Sequence, residues 1–268
     1  MFVECNHLNL KEIAESGQCF RFKELLDDTF SVVIGDKNYI LKQEEKGISG
    51  SFTKEEWEND LSHYFDFETD YDYIENLILN SKDSHLIKAY NQGSGIRILN
   101  QDLWEIIISF LISQNNNIKR IKNSIEALCT AAGYKCTDSD SEYRFPKACE
   151  FDSENFMRLN LGLGYRNIYL KEMFEYVGTN PLWTDYLKTL DYEEARKELL
   201  KHKGIGPKVA DCICLFGLHH IEAFPIDTHV RQLLDKYYKS GFNYEYFKGC
   251  AGVIQQYLFY YELKTPAS

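Results

Sequence analysis

Proline is scarce in this chain, at 5 of 268 residues, and glycine, at 16, is not abundant. Few breakers leave room for long continuous elements and argue against a disordered or linker-rich protein. No stretch approaches the roughly 20 consecutive apolar residues of a membrane span. Met1 to Lys11 lacks the basic-then-apolar order of a secretory leader, so a cytoplasmic location (nucleoid-associated in a prokaryote) is expected. The cysteines, at 5, 19, 129, 136, 149, 212, 214 and 250, show no paired spacing. A disulfide framework is therefore not expected, and neither is a zinc or iron–sulfur cluster. Cations are in deficit as well: 30 Lys and Arg stand against 41 Asp and Glu, for a net charge of −11. Such acidity repels a polyanion at long range. The carboxylates are unevenly spread, however, gathering at Glu55 to Glu75 and Asp138 to Glu142.

Aromatics are plentiful, with 19 Tyr and 17 Phe, and the length suffices for one large or two modest cores. The first fifty residues read as strands. Thr29 to Ile34 and Tyr39 to Gln43 flank a turn at Gly35-Asp36-Lys37-Asn38. Thr53 with Glu56 forms a capping box. Beyond it, helical spacing predicts helices near 72–80, 83–91, 101–114, 118–132, 163–177, 182–190, 192–202, 208–218, 228–239 and 243–262. Asn91 to Gly95 is the expected linker. The fold class is α+β: an N-terminal antiparallel sheet domain with flanking helices over 1–95, then a helical region over 96–268.

The most specific string is Lys203-Gly204-Ile205-Gly206-Pro207-Lys208-Val209-Ala210-Asp211, followed by Pro225-Ile226-Asp227-Thr228-His229. Asp191 with Glu194 opens a helix that the glycines end. One glycine takes positive φ, and the other lets a second chain come close. Pro207 suits the first turn of the next helix. Leu199, Leu200, Ile205, Val209, Ile213 and Leu215 supply the seam between the two helices. The turn exposes backbone N–H groups at a helix N-terminus, a ready site for a phosphate oxygen. It also sets an amine, Lys208, against a carboxylate, Asp227. That pair suits attack on a sugar carbon and steadying of the resulting cation.

With these strings, the chain resembles the 8-oxoguanine DNA glycosylase/AP lyases of the helix-hairpin-helix superfamily with the Gly-Pro-Asp type motif. The resemblance runs from about Gly17 to Phe259. It rests also on Gly17-Gln18-Cys19-Phe20-Arg21-Phe22, Ser113-Gln114-Asn115-Asn116-Asn117-Ile118, Leu161-Gly162-Leu163-Gly164-Tyr165-Arg166 and Ala251-Gly252-Val253-Ile254-Gln255. It implies a twisted sheet domain, a helical catalytic region with its site in a cleft, and a monomer acting on double-stranded DNA without a cofactor.

The resemblance assigns Lys208 as the nucleophile, which must attack as the neutral amine, and Asp227 as the carboxylate facing it. Cys212, one turn after Lys208, and Phe259, one turn after Gln255, would sandwich an extruded base. Gln255 would meet its Watson–Crick edge, with Pro225 and Phe216 completing the pocket. The Gly17 carbonyl would accept from N7–H of 8-oxoguanine and repel the bare N7 of guanine. Asn115, Arg120 and Arg166 would contact the estranged cytosine beside Tyr165 as wedge. His229, Gly204 and Gly206 would hold phosphate, and the carbonyls of Leu200, His202 and Ile205 a monovalent cation. Lys119, Lys203 and Arg231 add positive charge to that face. Gln114, Phe216 and Ile254 depart from the family pattern and bear on pocket shape.

Overall fold

The computed structural model describes residues 1–150, 156, 159 and 161–265. Five strands, β1 (Phe2–Glu4), β2 (Phe22–Glu24), β3 (Thr29–Ile34), β4 (Lys37–Glu44) and β5 (Gly47–Gly50), form one antiparallel sheet in the order β1-β5-β4-β3-β2. The β3–β4 hairpin is tighter than expected. Ile34 pairs with Lys37 and Val33 with Asn38, so only Gly35 and Asp36 turn. A helix missed in the sequence, α1 (Leu10–Glu15), interrupts the strands. Asn9 caps it by accepting from Lys11 and Glu12 N–H, and Leu10, Ile13 and Ala14 bury one face.

After the sheet come α2 (Lys54–Glu56), opened by the Thr53–Glu56 capping box, a π turn over Trp57–Leu61, and α3 (Ser62–Tyr64). Then follow α4 (Tyr71–Asn80), α5 (Ser84–Gly93), α6 (Leu103–Ser113), α7 (Ile118–Ala132), α8 (Arg166–Thr179), α9 (Trp183–Leu187), α10 (Tyr192–Leu199), α11 (Pro207–Gly217), α12 (Thr228–Tyr237) and α13 (Ala251–Lys264). The last begins eight residues later than 243–262 implies, because Tyr244 to Cys250 run as successive turns with Gly249 at φ +85°. Among the described residues no helix is long and apolar enough to cross a membrane.

Two cores form. Leu10, Phe22, Phe30, Leu41, Ile48 and Phe65 pack beneath the sheet. Ile74, Ile78, Leu86 and Tyr90 pack instead with the helices that follow. The two cores interleave along the chain, since Leu99 joins the sheet core and Phe20 the helical one, and Asn91 to Gly93 complete α5 where a linker was expected. A helix whose apolar stripe faces α13 gains roughly 1.5–3 kcal/mol per large side chain buried, enough to override the turn-forming residues at its end.

Two buried polar clamps fix the sheet to the helical body. Gln18, fully buried, donates to Ser16 Oγ and to Arg97 O, and accepts from Leu99 N–H at 2.9 Å. Its own carbonyl accepts from Gln101 Nε2 at 3.0 Å. Arg21 reaches Glu105 on α6 and the Tyr143 carbonyl. Gly17 sits directly beside the first clamp, so its backbone is held from both sides.

Candidate active site

In the hairpin between α10 and α11, Gly204 combines the positive φ and the close approach that were expected of two different glycines. Gly204 adopts φ +86°, and a Cβ there would lie 2.5 Å from Tyr169 Cγ, so both conformation and packing demand glycine. Gly206 has ordinary φ, is exposed, and has open space where a side chain would go. It caps α11 with no side-chain partner, leaving the first-turn N–H groups facing outward. The preceding helix stops at Leu199, short of His202, and the Ile205 N–H closes the turn on the His202 carbonyl at 3.1 Å. Asp211, on the far side of α11, accepts from Arg196 Nε at 2.6 Å and from Tyr192 OH at 3.1 Å. Burial pushes the Asp211 carboxyl up, and the Arg196 guanidinium works against it. It braces the hairpin rather than facing the site.

Lys208, half-buried on the first turn of α11, projects over the Phe110 ring at 5.1 Å. Asp227 caps α12, accepting the Val230 N–H at 2.8 Å. The two line a shared space. An open groove of about 940 Å³ runs past Asn115, Arg120, Tyr165, Gly206, Lys208, Asp227, His229 and Arg231. Its lining has two arginines, one lysine and one histidine against a single carboxylate, and among the described residues Lys208, Arg120 and Arg231 form no ion pair. Behind it, a cavity of about 40 Å³ is walled by Gly17, Phe110, Lys208, Cys212, Phe216, Pro225, Asp227, Gln255, Gln256 and Phe259. Lys208 and Asp227 belong to both.

The small cavity is built from buried groups. Phe216 stacks on Phe110 with centroids 5.5 Å apart and planes at 13°. Cys212 is 2% exposed; burial pushes its thiol up, and the adjacent Lys208 opposes that. Gln255 Nε2 donates to the Pro225 carbonyl at 3.2 Å. Gly17 has φ +79°, and a Cβ added there would meet Phe259 Cε1 at 3.2 Å. At about 40 Å³ the cavity is scarcely larger than the ~30 Å³ share of one liquid water, so a purine enters only if the walls move apart.

Residues 1–107 match the family model described as 8-oxoguanine DNA glycosylase, N-terminal domain. An N-glycosylase/DNA lyase of Saccharomyces cerevisiae is 30% identical over 92% of this chain and 72% of its own length. The chain belongs to the 8-oxoguanine DNA glycosylase/lyase family. The Clostridium acetobutylicum 8-oxoguanine glycosylase/lyase, solved with double-stranded DNA containing cytosine opposite 8-oxoguanine, superposes with a TM-score of 0.86 at 33% identity, covering 97% of each chain. A structure of MBOgg1 with a low-affinity DNA ligand gives 0.89 at 33% identity, over 98% of this chain and 95% of that one.

In this glycosylase/lyase the residues expected for the base (Gly17, Cys212, Phe216, Pro225, Gln255 and Phe259) all line the small cavity, while Asn115, Arg120, Tyr165, His229 and Gly206 line the groove. Two expectations change. Arg166 is buried, and its guanidinium donates to the carbonyls of Gln114, Asn115 and Leu163, so it holds the asparagine loop from beneath. Lys203 pairs with Glu172 at 2.6 Å and is not a free cation of the groove. Asn115 itself takes φ +46°, a strained conformation that asparagine tolerates better than most residues. Phe110, Gln18 and Gln256 were missed. Phe110 sits inside an apolar run and Gln256 beside a more obvious glutamine, so neither carries a sequence signal of its own.

Proposed function

We propose that this chain removes 8-oxoguanine from duplex DNA and then cleaves the strand at the abasic site. What carries the reading is that Lys208 and Asp227 border both the cationic groove and the buried cavity. A nucleotide with its phosphates in the groove and its base rotated into the cavity has its sugar between them. Lys208, as the neutral amine, forms the bond to C1′ while the C1′–N9 bond breaks and its electrons leave with the base. The Asp227 carboxylate faces the positive charge that develops on the sugar. Protons released from the amine pass to the departing base and to the ring oxygen as the sugar opens, leaving an imine. Loss of a C2′ proton then expels the 3′ phosphate and breaks the strand.

The Gly17 carbonyl accepts N7–H of the lesion, and Phe259 and Cys212 take the faces of the base. Outward N–H groups after Gly204 and Gly206, with His229, hold phosphate, and the turn carbonyls of Leu200, His202 and Ile205 hold a monovalent cation. Tyr165, 50% exposed and edge-on to Tyr169, is the wedge; Asn115 and Arg120 meet the opposite cytosine. The enzyme works as a monomer, and its net charge of −11 makes binding weak and steeply salt-dependent. Incubation with 8-oxoguanine duplex and borohydride tests the imine. Wild type should give a covalent complex and Lys208→Gln none, with excision down at least about 10³-fold. Equal trapping by the variant rejects the mechanism.

A further inference from the structure

The small cavity holds one polar group that no step above uses. Gln256 follows Gln255 on α13, is 2% exposed, and lines the same cavity. A single carbonyl sets the direction of both amides. Gln255 Nε2 donates to Pro225 O at 3.2 Å, which turns its Oε1 the other way, and that oxygen accepts from Gln256 Nε2 at 3.2 Å. The relay therefore ends on Gln256 Oε1, a buried acceptor with no hydrogen-bond partner among the described residues. Buried acceptors are nearly always paired, and one left open on a residue that lines a ligand cavity favours a ligand that brings a donor.

We propose that Gln256 is a specificity-determining residue whose Oε1 accepts from the exocyclic amine of a guanine-type base. The Watson–Crick edge of 8-oxoguanine presents two donors side by side, N1–H and the 2-amino group. A single amide oxygen does not serve both well. Gln255 Oε1 keeps a lone pair for N1–H, and Gln256 Oε1 takes the amine. Bases without that amine leave the acceptor unmet inside the protein and are disfavoured. The proposal rests on the reading of the small cavity as the base site.

Single-turnover excision of 8-oxoguanine and of 8-oxohypoxanthine, which lacks only the amine, tests it in otherwise identical duplexes. Wild type should prefer 8-oxoguanine by about tenfold, and Gln256→Met, similar in length and without an acceptor, should bring the ratio to about one. A variant slowed equally on both bases, with the ratio retained, would mean that Gln256 only positions Gln255 and would overturn the proposal. So would a wild-type ratio near one, which needs no variant. If Gln256→Met fails to fold by its melting curve, Gln256→Leu is read in the same way. Failure of the underlying function looks different: wild type leaves both bases in place and gives no borohydride-trapped complex.

Discussion

The groove and the cavity behind it share Lys208 and Asp227 yet are built by opposite means. The groove is open and cationic and includes loop backbone in an unusual conformation, Asn115 at φ +46°, while Gly204 at +86° shapes the hairpin that leads into it. The cavity is small and walled by buried rings, a thiol and amides whose directions are fixed by hydrogen bonds. As proposed, one surface grips any nucleotide through charge and exposed N–H groups. The other tests the base through polar groups that are costly to leave unpaired. Discrimination should therefore fail when the cavity is altered, and grip when the groove is.

Asp227 stands where the two meet and offers the sharpest division. Asn caps a helix about as well as Asp, so Asp227→Asn should leave the melting temperature nearly unchanged while single-turnover excision falls about 10²–10³-fold. Asp227→Ala should lose the same rate and about 1 kcal/mol of stability besides. If Asp227→Asn kept its rate, the carboxylate would be a cap and nothing more.

Gly17→Ala attacks the cavity alone. The new methyl meets Phe259 at 3.2 Å on a backbone at φ +79°, so it disturbs both the carbonyl and the ring. Preference for 8-oxoguanine over guanine should drop at least about tenfold, with affinity for undamaged duplex unchanged in a titration. Retained preference would remove the carbonyl from the recognition scheme. Gly204→Ala is the counterpart in the hairpin that leads into the groove: its overlap with Tyr169 at 2.5 Å should cost about 2–3 kcal/mol and weaken duplex binding several-fold, leaving the base preference intact. Loss of preference there would mean that the two regions are not separable. The smallest effect is expected from exposed Arg120→Ala. Stability should stay within about 0.5 kcal/mol, and preference for cytosine opposite the lesion should relax up to about tenfold. A salt slope reduced by about one, with opposite-base preference intact, would make Arg120 a phosphate contact instead.

Much of this was legible from residue order because it is local. The bounds of α7 match the 118–132 expected from helical spacing, and the structure adds the caps, Asn117 at its start and Gly133 at φ +77° at its end. The positive φ of Gly204 follows from turn chemistry, and the motif singles out Lys208 and Asp227, which line one shared space. What was not legible depends on contacts distant in sequence. Arg166 reads as a free cation until the carbonyls of Gln114 and Asn115, some fifty residues earlier, are seen to occupy it. Asn91 to Gly93 read as a linker because their turn propensity is local, while the α13 surface that keeps them helical lies 160 residues away (251 minus 91). Gln18 looks like any polar residue of a string, and only its burial against Arg97, Leu99 and Gln101 reveals the clamp.

The helix α13 carries Gln255 and Phe259, and its last turn is tied to α1: Lys264 pairs with Glu15 at 2.6 Å, two residues before Gly17. The part that inspects a base is thus stitched from segments about 240 positions apart, whereas the nucleophile and its hairpin are contiguous. In chain order the hairpin's residues are joined before those of α13. A nascent chain stopped before residue 251 carries its warhead without its reader, and lacks the walls needed to accept any base, normal or damaged.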